Sequence, residues 1–451
     1  MQIKNEEKLK KSSIIAYAVA NSSGYQFIQA VVAGYILIFF TDTFGIPAAA
    51  ASAIMLIASI WDAINDPMMG AVADRTNSRF GRYRGYLLFC PFILTAISYL
   101  LFLNPSGLSV NEKIVWAAVF YVLYGMCVTA VQMPLAALIP TMTKKDSERH
   151  AIVQIMVFLA SICLMLVSSF TLNMGAAVGG YHNLMLIGGI VMIVTFLILF
   201  KNSEEKYLTP VSKEPFMHDV KALLKIKELY PVMVVWLTGY LGFNMMMSSS
   251  VYYMMYYISR PDLIPTYMLV LSIAGMASVT FGISILMKIF KGSVKKCFGF
   301  SQAVTAVIYI VLFFVGGKSL TALYVLSGLA AAFATMSNAF IPMINNEMID
   351  YVAYKNGTHM NATVSAIKGF SCKCGAGLAS ALLGGALAFG GYVAGAIGQQ
   401  TEAALLGINI GRFGIPAIAA LILCIALKFY PVDQVKGEIT AMKEEVISGE
   451  A

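Results

Sequence analysis

The chain has 451 residues, of which 59% are hydrophobic and only 12% are charged, with a mean hydropathy of +0.76 and a net charge of +8. A soluble domain carries about 25% charged residues, because its surface must be wetted by water. This composition excludes a soluble, disordered or disulfide-stapled protein and predicts an all-α membrane protein.

Twelve apolar stretches follow one another along the chain, each suited to a membrane-spanning helix, which needs about 20 residues. Short polar breaks separate them. The first apolar stretch follows a charged segment, and no small-residue cleavage site comes after the stretch. We therefore expect a retained helix rather than a signal peptide. The predicted spans cover approximately residues 14–41, 46–73, 85–104, 113–140, 151–175, 182–200, 229–258, 263–290, 297–316, 319–346, 360–394 and 408–430.

The basic residues alternate from loop to loop. Of the 31 lysines and arginines, 25 fall in one set of loops that includes both terminal segments. Cytoplasmic loops are enriched in lysine and arginine, so both termini are predicted to be cytoplasmic. The positive net charge then reflects membrane topology rather than nucleic-acid binding. The alternate loops contain only Lys113, Arg260, Lys318 and Arg412.

The longest polar stretch divides the spans six and six. A glycine-rich basic loop follows the second span and has a weaker counterpart after the eighth. An internal repeat of this kind indicates a transporter with two pseudo-symmetric halves. We therefore predict four segments. The segments are an N-terminal six-helix bundle (1–200), a cytoplasmic middle loop (201–228), a C-terminal six-helix bundle (229–430) and a cytoplasmic tail (431–451).

Four ionisable residues cannot easily be placed in a loop: Asp62, Asp66, Lys368 and Lys373. A charge within a membrane costs a few kcal/mol or more, so it indicates function. Asp62 and Asp66 are one helical turn apart, and two such carboxylates in a low dielectric require a cation or a proton between them. Lys373 is the natural counter-charge, whereas Lys368 could extend towards the membrane surface. A purely structural pair of one aspartate with a lysine is the alternative.

The sequence contains no recognisable catalytic motif. No nucleophile, zinc-protease or nucleotide-binding motif is present, so we predict that the chain is not an enzyme and needs no cofactor. The seven cysteines are scattered through apolar runs, and the four histidines have no partner at metal-ligand spacing.

The segment Trp61–Gly70, followed by Asp74–Thr76 and Gly81–Arg84, resembles the signature of the glycoside–pentoside–hexuronide:cation symporters. These belong to the major facilitator superfamily and include melibiose permease. Shorter matches, such as Ile349–Tyr351, extend the resemblance over essentially the whole chain. The resemblance implies the major facilitator fold and a secondary active symporter that works by alternating access.

The resemblance also implies a cation site in the N-terminal bundle. Asp62, Asn65, Asp66 and Thr129 match the family's cation-binding positions. Asp62 and Asp66 would be the metal ligands, with Na+ as the coupling ion and H+ or Li+ as possible substitutes. Lys373 matches the family's lysine that links the cation site to the sugar site.

The sugar site departs from the family pattern. Gln26 and Gln132 stand where family members carry acidic residues. Amides bond sugar hydroxyls without charge assistance, and the loss of two carboxylates removes repulsion towards an anion. A glucuronide or other hexuronide therefore fits at least as well as a neutral glycoside. The predicted substrate-binding residues are Tyr25, Gln26, Gln132 and Lys373; further departures occur at Ala136, Val157, His359 and Asn361.

We predict a monomer in the inner (cytoplasmic) cell membrane that imports a glycoside or hexuronide and contacts no nucleic acid. Two alternatives stay open: a major facilitator transporter of a lipid-like or drug-like substrate, and a non-transporting membrane sensor. Charged residues at the cytoplasmic span ends are predicted to form a gate: Asp74, Arg75, Arg82, Arg84, Glu347 and Asp350.

Overall fold

The computed structural model describes residues 9–207, 226–356, 361–433, 435 and 437–439. Within this part of the chain, 12 helices are long and apolar enough to cross a membrane, which confirms the predicted all-α fold and number of spans. The helices are α1 (Lys11–Thr43), α2 (Ala48–Arg75), α3 (Arg84–Leu101), α4 (Val110–Met142), α5 (Ser147–Ala177), α6 (Tyr181–Asn202), α7 (Leu229–Tyr257), α8 (Pro261–Ile289), α9 (Val294–Val315), α10 (Leu320–Lys355), α11 (Thr363–Phe389) and α12 (Glu402–Lys428).

Arg412 does not lie in a loop, in contrast to the assignment made from the distribution of basic residues. That assignment is wrong, because α12 extends from Glu402 to Lys428; it starts six residues before the predicted span 408–430, which itself already contained Arg412. The hydroxyl of Thr401 accepts a hydrogen bond from the backbone N–H of Ala404 and caps this earlier start. Arg412 therefore lies well inside α12, where it is fully buried.

Several helices contain a π-helical turn, in which one extra residue widens the helix locally. In the first of these turns, Ser23 has φ −98° and ψ −113°, outside the helical region. Such turns are frequent at functional sites because they redirect neighbouring side chains. The turns comprise Asn21–Tyr25 and Phe39–Thr43 in α1, Tyr253–Tyr257 in α7, Ser278–Gly282 in α8 and Ile410–Gly414 in α12.

The chain divides into two compact units. The first comprises residues 1–54 and 64–212, and the second comprises residues 55–63 and 213–451. Helix α2 contributes to both units, since its segment Met55–Ala63 packs with the second. The predicted domain boundaries at residues 200 and 228 follow the polar stretch in the sequence, whereas this division follows contacts in space.

In the first unit, α3 packs against α4 and α6, and α1 packs against α5 and α6. Glycines allow the closest approaches. A Cβ atom at Gly24 would lie 2.2 Å from the backbone nitrogen of Met192, and one at Gly189 would lie 2.2 Å from the Thr95 side chain. Small residues let helix backbones meet in a membrane, where packing rather than water exclusion drives association. The π turn that contains Tyr25 is thus held directly against α6.

In the second unit, α7 packs against α11 and α12, and α9 packs against α10 and α12. Trp236, Phe298 and Phe340 are fully buried in its apolar core. A Cβ atom at Gly375 would lie 2.3 Å from the carbonyl oxygen of Leu237, so α11 and α7 touch backbone to backbone. This contact fixes the part of α11 that carries Lys373.

Candidate functional site

Helix α2 carries the three predicted cation ligands that are close in sequence. Asp62, Asn65 and Asp66 are all half-buried on this one continuous helix. Residues four apart on a helix lie on the same face, so the two aspartates present their carboxylates in the same direction. Pro67 directly follows and has no N–H to donate to the carbonyl of Ala63. The segment is therefore rich in oxygen atoms.

Thr129 on α4 contacts this segment within the first unit. Its hydroxyl donates to Asp66 Oδ1 at 2.8 Å and lies 3.1 Å from the carbonyl oxygen of Gly125 on its own helix. Thr129 is fully buried. The contact joins two residues that are 63 positions apart in the chain. Carboxylate and hydroxyl oxygens that meet in this way suit a hard cation such as Na+.

Lys373 on α11 reaches the same helix one turn earlier, within the second unit. Its Nζ lies 3.5 Å from the backbone carbonyl oxygen of Asp62, at the outer limit of a hydrogen bond. Both side chains are half-buried. An ammonium group this close to the Asp62 peptide interacts electrostatically with α2, so its energy changes when the charge on α2 changes.

Tyr25 belongs to a buried hydrogen-bonded relay that the sequence analysis missed. Gln29 Nε2 donates to the Tyr25 hydroxyl at 3.0 Å, and the Tyr124 hydroxyl donates to Gln29 Oε1 at 3.0 Å. Tyr25 and Tyr124 are 4% and 5% exposed, so the relay lies in the interior of the first unit. A signal was present, because Gln29 is a polar residue inside an apolar run and stands one turn after Tyr25 and Gln26.

The other predicted substrate residues are less connected. Gln26 is half-buried next to Tyr25, and Gln132 is exposed one turn after Thr129 on α4. No hydrogen bond between Gln26 and Gln132 occurs in the part of the chain that the structure describes. Ala136 and Val157 are also exposed, whereas His359 and the side chain of Asn361 lie outside the described residues.

The loop between α2 and α3 is fastened by a carboxylate that the sequence analysis did not select. Glu205 accepts hydrogen bonds from the backbone N–H groups of Arg82, Tyr83 and Arg84 at 2.7, 2.7 and 2.8 Å. Arg84 is the first residue of α3, Tyr83 is its N-cap residue and Arg82 precedes the cap; N–H groups at the start of a helix have no partner within it and carry partial positive charge. A Cβ atom at Gly81 would lie 3.0 Å from the Glu205 carboxylate.

Asp74, a predicted gate residue, is held by the same loop. The Tyr83 hydroxyl donates to Asp74 Oδ1 at 2.6 Å. Burial, and then the bond to Asp74, raises the pKa of Tyr83 to about 12, so the hydroxyl stays protonated and can donate at physiological pH. Arg84 donates to the carbonyl of Phe200 at 2.7 Å and stacks over that ring.

The loop also lines an open cavity of about 630 Å³. Three of the predicted gate arginines line it, and Arg79 adds a fourth guanidinium. Arg75 and Arg79 are exposed. Its lining comprises Asp74, Arg75, Thr76, Asn77, Arg79, Phe80, Gly81, Arg82, Arg84 and Glu205.

The remaining predicted gate residues, Glu347 and Asp350, lie on α10 in the second unit. Glu347 accepts a hydrogen bond from the Tyr430 hydroxyl at 2.5 Å. Burial, and then the Glu347 charge, raises the pKa of Tyr430 well above its ordinary value. Nearby, Lys355 donates to Glu228 at 2.6 Å, and this bond lowers the pKa of that carboxyl. Acidic groups thus hold the ends of α7, α10 and α12 within this unit.

Among the described residues, no group of three or more histidine, cysteine, aspartate or glutamate side chains is placed so that it could hold a metal ion. The seven cysteines are free thiols. Asp62, Asn65, Asp66 and Thr129 stay the predicted ligands of a cation.

Comparison with known proteins is informative over nearly the full length. The model of a family described as MFS/sugar transport protein matches residues 17–434. The chain is 30% identical to the symporter YnaJ of Bacillus subtilis (strain 168), over 97% of this chain and 95% of that one. It is 27% identical to the isoprimeverose transporter of Lactiplantibacillus pentosus, over 92% of this chain and 88% of that one. The crystal structure of the nucleoside transporter NupG has the same fold, with a TM-score of 0.66, 11% identity and coverage of 92% of this chain and 98% of that one.

Proposed function

We propose that this chain, which belongs to the MFS/sugar transport protein family, imports a glycoside or hexuronide together with Na+, or with H+ or Li+ in its place. It is a multi-pass protein of the cell membrane and a transporter rather than an enzyme. Its relatives indicate a sugar or glycoside symporter of the major facilitator superfamily. The particular substrate, the coupling ion and a monomeric state are our proposals.

The hydrogen bond between Thr129 and Asp66 is the observation that carries the cation site. It brings a second oxygen-bearing helix to the carboxylate at which a cation would bind. In our scheme Na+ binds between Asp62 and Asp66, with oxygen atoms of Asn65 and Thr129 completing its ligands. A cation there relieves the repulsion between two carboxylates in a medium of low dielectric constant.

Lys373 would couple cation binding to substrate binding. Its ammonium group lies at the level of Asp62, so it interacts with whatever charge α2 carries there. When Na+ neutralises the aspartates, the attraction of Lys373 towards α2 weakens. Lys373 is then free to bind substrate oxygens, and a negatively charged hexuronide would gain most from that contact.

The relay from Tyr25 through Gln29 to Tyr124 supports a carbohydrate substrate. It fixes the Tyr25 ring and hydroxyl next to Gln26, and ring faces with hydroxyl and amide groups suit a sugar. The isoprimeverose transporter among the relatives also agrees with a glycoside. Substrate and cation together would then lower the barrier to the change from the outward-facing to the inward-facing state.

The proposal can be tested with purified protein in liposomes. Uptake of a radiolabelled β-glycoside and of a β-glucuronide is measured with an inward Na+ gradient, with a proton gradient and with neither. We expect one gradient to drive accumulation, and Asp66→Asn to reduce it about 100-fold because a charge next to the bound cation is lost. Asp262→Asn, which removes an exposed carboxylate bound to Arg260, is the control.

Accumulation that ignores both gradients and survives Asp66→Asn would contradict the coupling scheme. Binding of substrate without any counterflow would instead identify a membrane sensor. Uptake of a lipid-like compound, but of neither sugar, would indicate the other alternative.

A further inference from the structure

Arg412 is a cation enclosed within the second unit. It lies ten residues after Glu402, the first residue of α12, which corresponds to about 15 Å along the helix. Its exposed fraction is 0%, and it belongs to the π turn Ile410–Gly414. A buried ionised side chain is costly unless it is paired and fully hydrogen-bonded.

Aromatic rings, rather than carboxylates, surround the guanidinium group. Arg412 Nη2 donates to the Tyr267 hydroxyl at 2.8 Å. The guanidinium carbon lies 4.8 Å from the centre of the Phe413 ring and 5.8 Å from the rings of Tyr267 and Tyr309. No aspartate or glutamate forms an ion pair with it among the described residues. Ring faces attract a cation but do not replace the hydration that burial removes, so the positive charge is only partly compensated.

Further donors near this charge are also without an acceptor. In the described part of the chain, Arg412 Nε and Nη1 and the hydroxyls of Tyr253 and Tyr309 are buried with no partner at good hydrogen-bond geometry, although the Arg412 guanidinium and the Tyr309 hydroxyl are near enough to interact with each other. The rings of Tyr253 and Tyr309 lie 5.0 and 5.9 Å from that of Phe413, on which the guanidinium stacks. Native proteins seldom leave so many buried donors unsatisfied.

We propose that Arg412, Tyr253 and Tyr309 form an internal binding site for a small monovalent anion, for which chloride is the probe. An anion would accept hydrogen bonds from the guanidinium and the hydroxyls and would balance the buried charge. Because Arg412 is fully buried, a small ion fits this position better than a sugar acid or a phospholipid headgroup. This inference does not rest on the proposed transport function, since its residues are separate from Asp62, Asp66 and Thr129.

Water is the competing occupant of this site. Asn409, one turn before Arg412, has an amide oxygen that is also buried without a partner, although its Nδ2 donates to the carbonyl of Phe313. A water molecule could bridge that acceptor to a donor. The experiment must therefore distinguish a halide from water.

Thermal unfolding of the purified full-length protein in detergent provides the test. Chloride, bromide or gluconate is titrated at constant Na+ concentration and ionic strength, after dialysis long enough for a buried site to exchange. We expect Tm to rise with chloride and bromide, to saturate, and to stay constant with gluconate, because a ligand of the folded state stabilises it. Crystals grown in bromide should show anomalous scattering beside Arg412.

Three variants connect the effect with the site. Arg412→Met should abolish the halide-dependent rise in Tm. If that variant fails to fold, Tyr253→Phe and Tyr309→Phe each remove one hydroxyl and should weaken apparent bromide affinity about tenfold, the effect of one hydrogen bond to a charged group. Arg260→Met, which alters an exposed arginine, should retain the wild-type response.

Equal Tm values in chloride and gluconate would overturn the proposal and indicate a cluster that holds only water. An unchanged halide response in both tyrosine variants, or bromide scattering found only elsewhere, would also overturn it.

Discussion

Two interior charges, Asp66 in the first unit and Arg412 in the second, have different surroundings. In the first unit, the Asp66 carboxylate is half-buried and bonded to Thr129, and the relay through Gln29 lies in the same unit. In the second, Arg412 is wholly enclosed by aromatic rings. A transported ion must enter and leave its site, so the ligands of that ion must be reachable from solvent and able to form other hydrogen bonds when the ion is absent. A fully buried guanidinium among aromatic rings suits a bound ion that exchanges slowly.

The units also differ at their loop ends. In the first, the Glu205 carboxylate bonds three backbone N–H groups at the start of α3. In the second, Glu228 and Lys355 form a side-chain pair in which both groups are more than one-third exposed. Backbone donors are held in place by the helix, whereas two exposed side chains lose rotamer freedom when they pair. The first arrangement should therefore contribute more stability.

The sharpest test of the proposed cation site is Thr129→Val. We expect the Na+ concentration for half-maximal uptake to rise about tenfold, because Asp66 loses one hydrogen bond to a charged group and the cation loses an oxygen. Thr129→Ser keeps the hydroxyl and should remain close to wild type. Equal Na+ dependence in the valine and serine variants would remove Thr129 from the cation site.

Gln29→Leu should raise the KM for sugar about fivefold and leave the Na+ dependence unchanged. The substitution removes the hydrogen bonds that Gln29 forms with two buried tyrosine hydroxyls, which costs about 1 kcal/mol or more and loosens Tyr25. Gln302→Leu is a matched control, because Gln302 is a buried glutamine of the second unit that bonds Ser337. A comparable rise in KM for both variants would indicate a general effect of losing a buried amide.

Glu205→Gln should speed hydrogen exchange at the backbone amides of residues 82–84 about fivefold. That factor corresponds to about 1 kcal/mol, the typical contribution of a helix-capping group. Glu204→Gln changes the neighbouring carboxylate, which is 70% exposed, and should leave exchange unaltered. Unchanged exchange in the Glu205 variant would mean that the carboxylate does not fasten this loop.

The smallest effect is expected at the exposed pair of the second unit. Lys355 lowers the folded-state pKa of Glu228 below its unfolded value, so the pair stabilises the protein above the unfolded pKa of about 4.3. That contribution is lost as pH falls through the folded pKa. With solvent screening it amounts to about 0.5 kcal/mol or less. Wild type and Glu228→Gln should thus differ slightly in Tm at pH 7 and converge in acid; a larger gap in acid would contradict this sign.

Much of the candidate site could be predicted from local sequence. Asp62 and Asp66 stood out because a charge in an apolar stretch is rare and a four-residue spacing puts both on one helix face. Glu205 did not stand out, because it lies in a polar stretch where a carboxylate is ordinary. Gln29 was visible as a polar residue in a span, yet its partner Tyr124 lies 95 residues away.

The sequence by itself determined that the chain lies in a membrane, that it forms twelve helices and which residues could carry charge inside them. Composition and periodicity are local properties, and the cost of charge in a bilayer makes them decisive. Only the tertiary structure decided which charges are accessible and which are enclosed. Asp66 meets Thr129 and Arg412 meets Tyr267 because distant helices pack together, and contacts over 63 and 145 residues depend on that packing rather than on any local pattern.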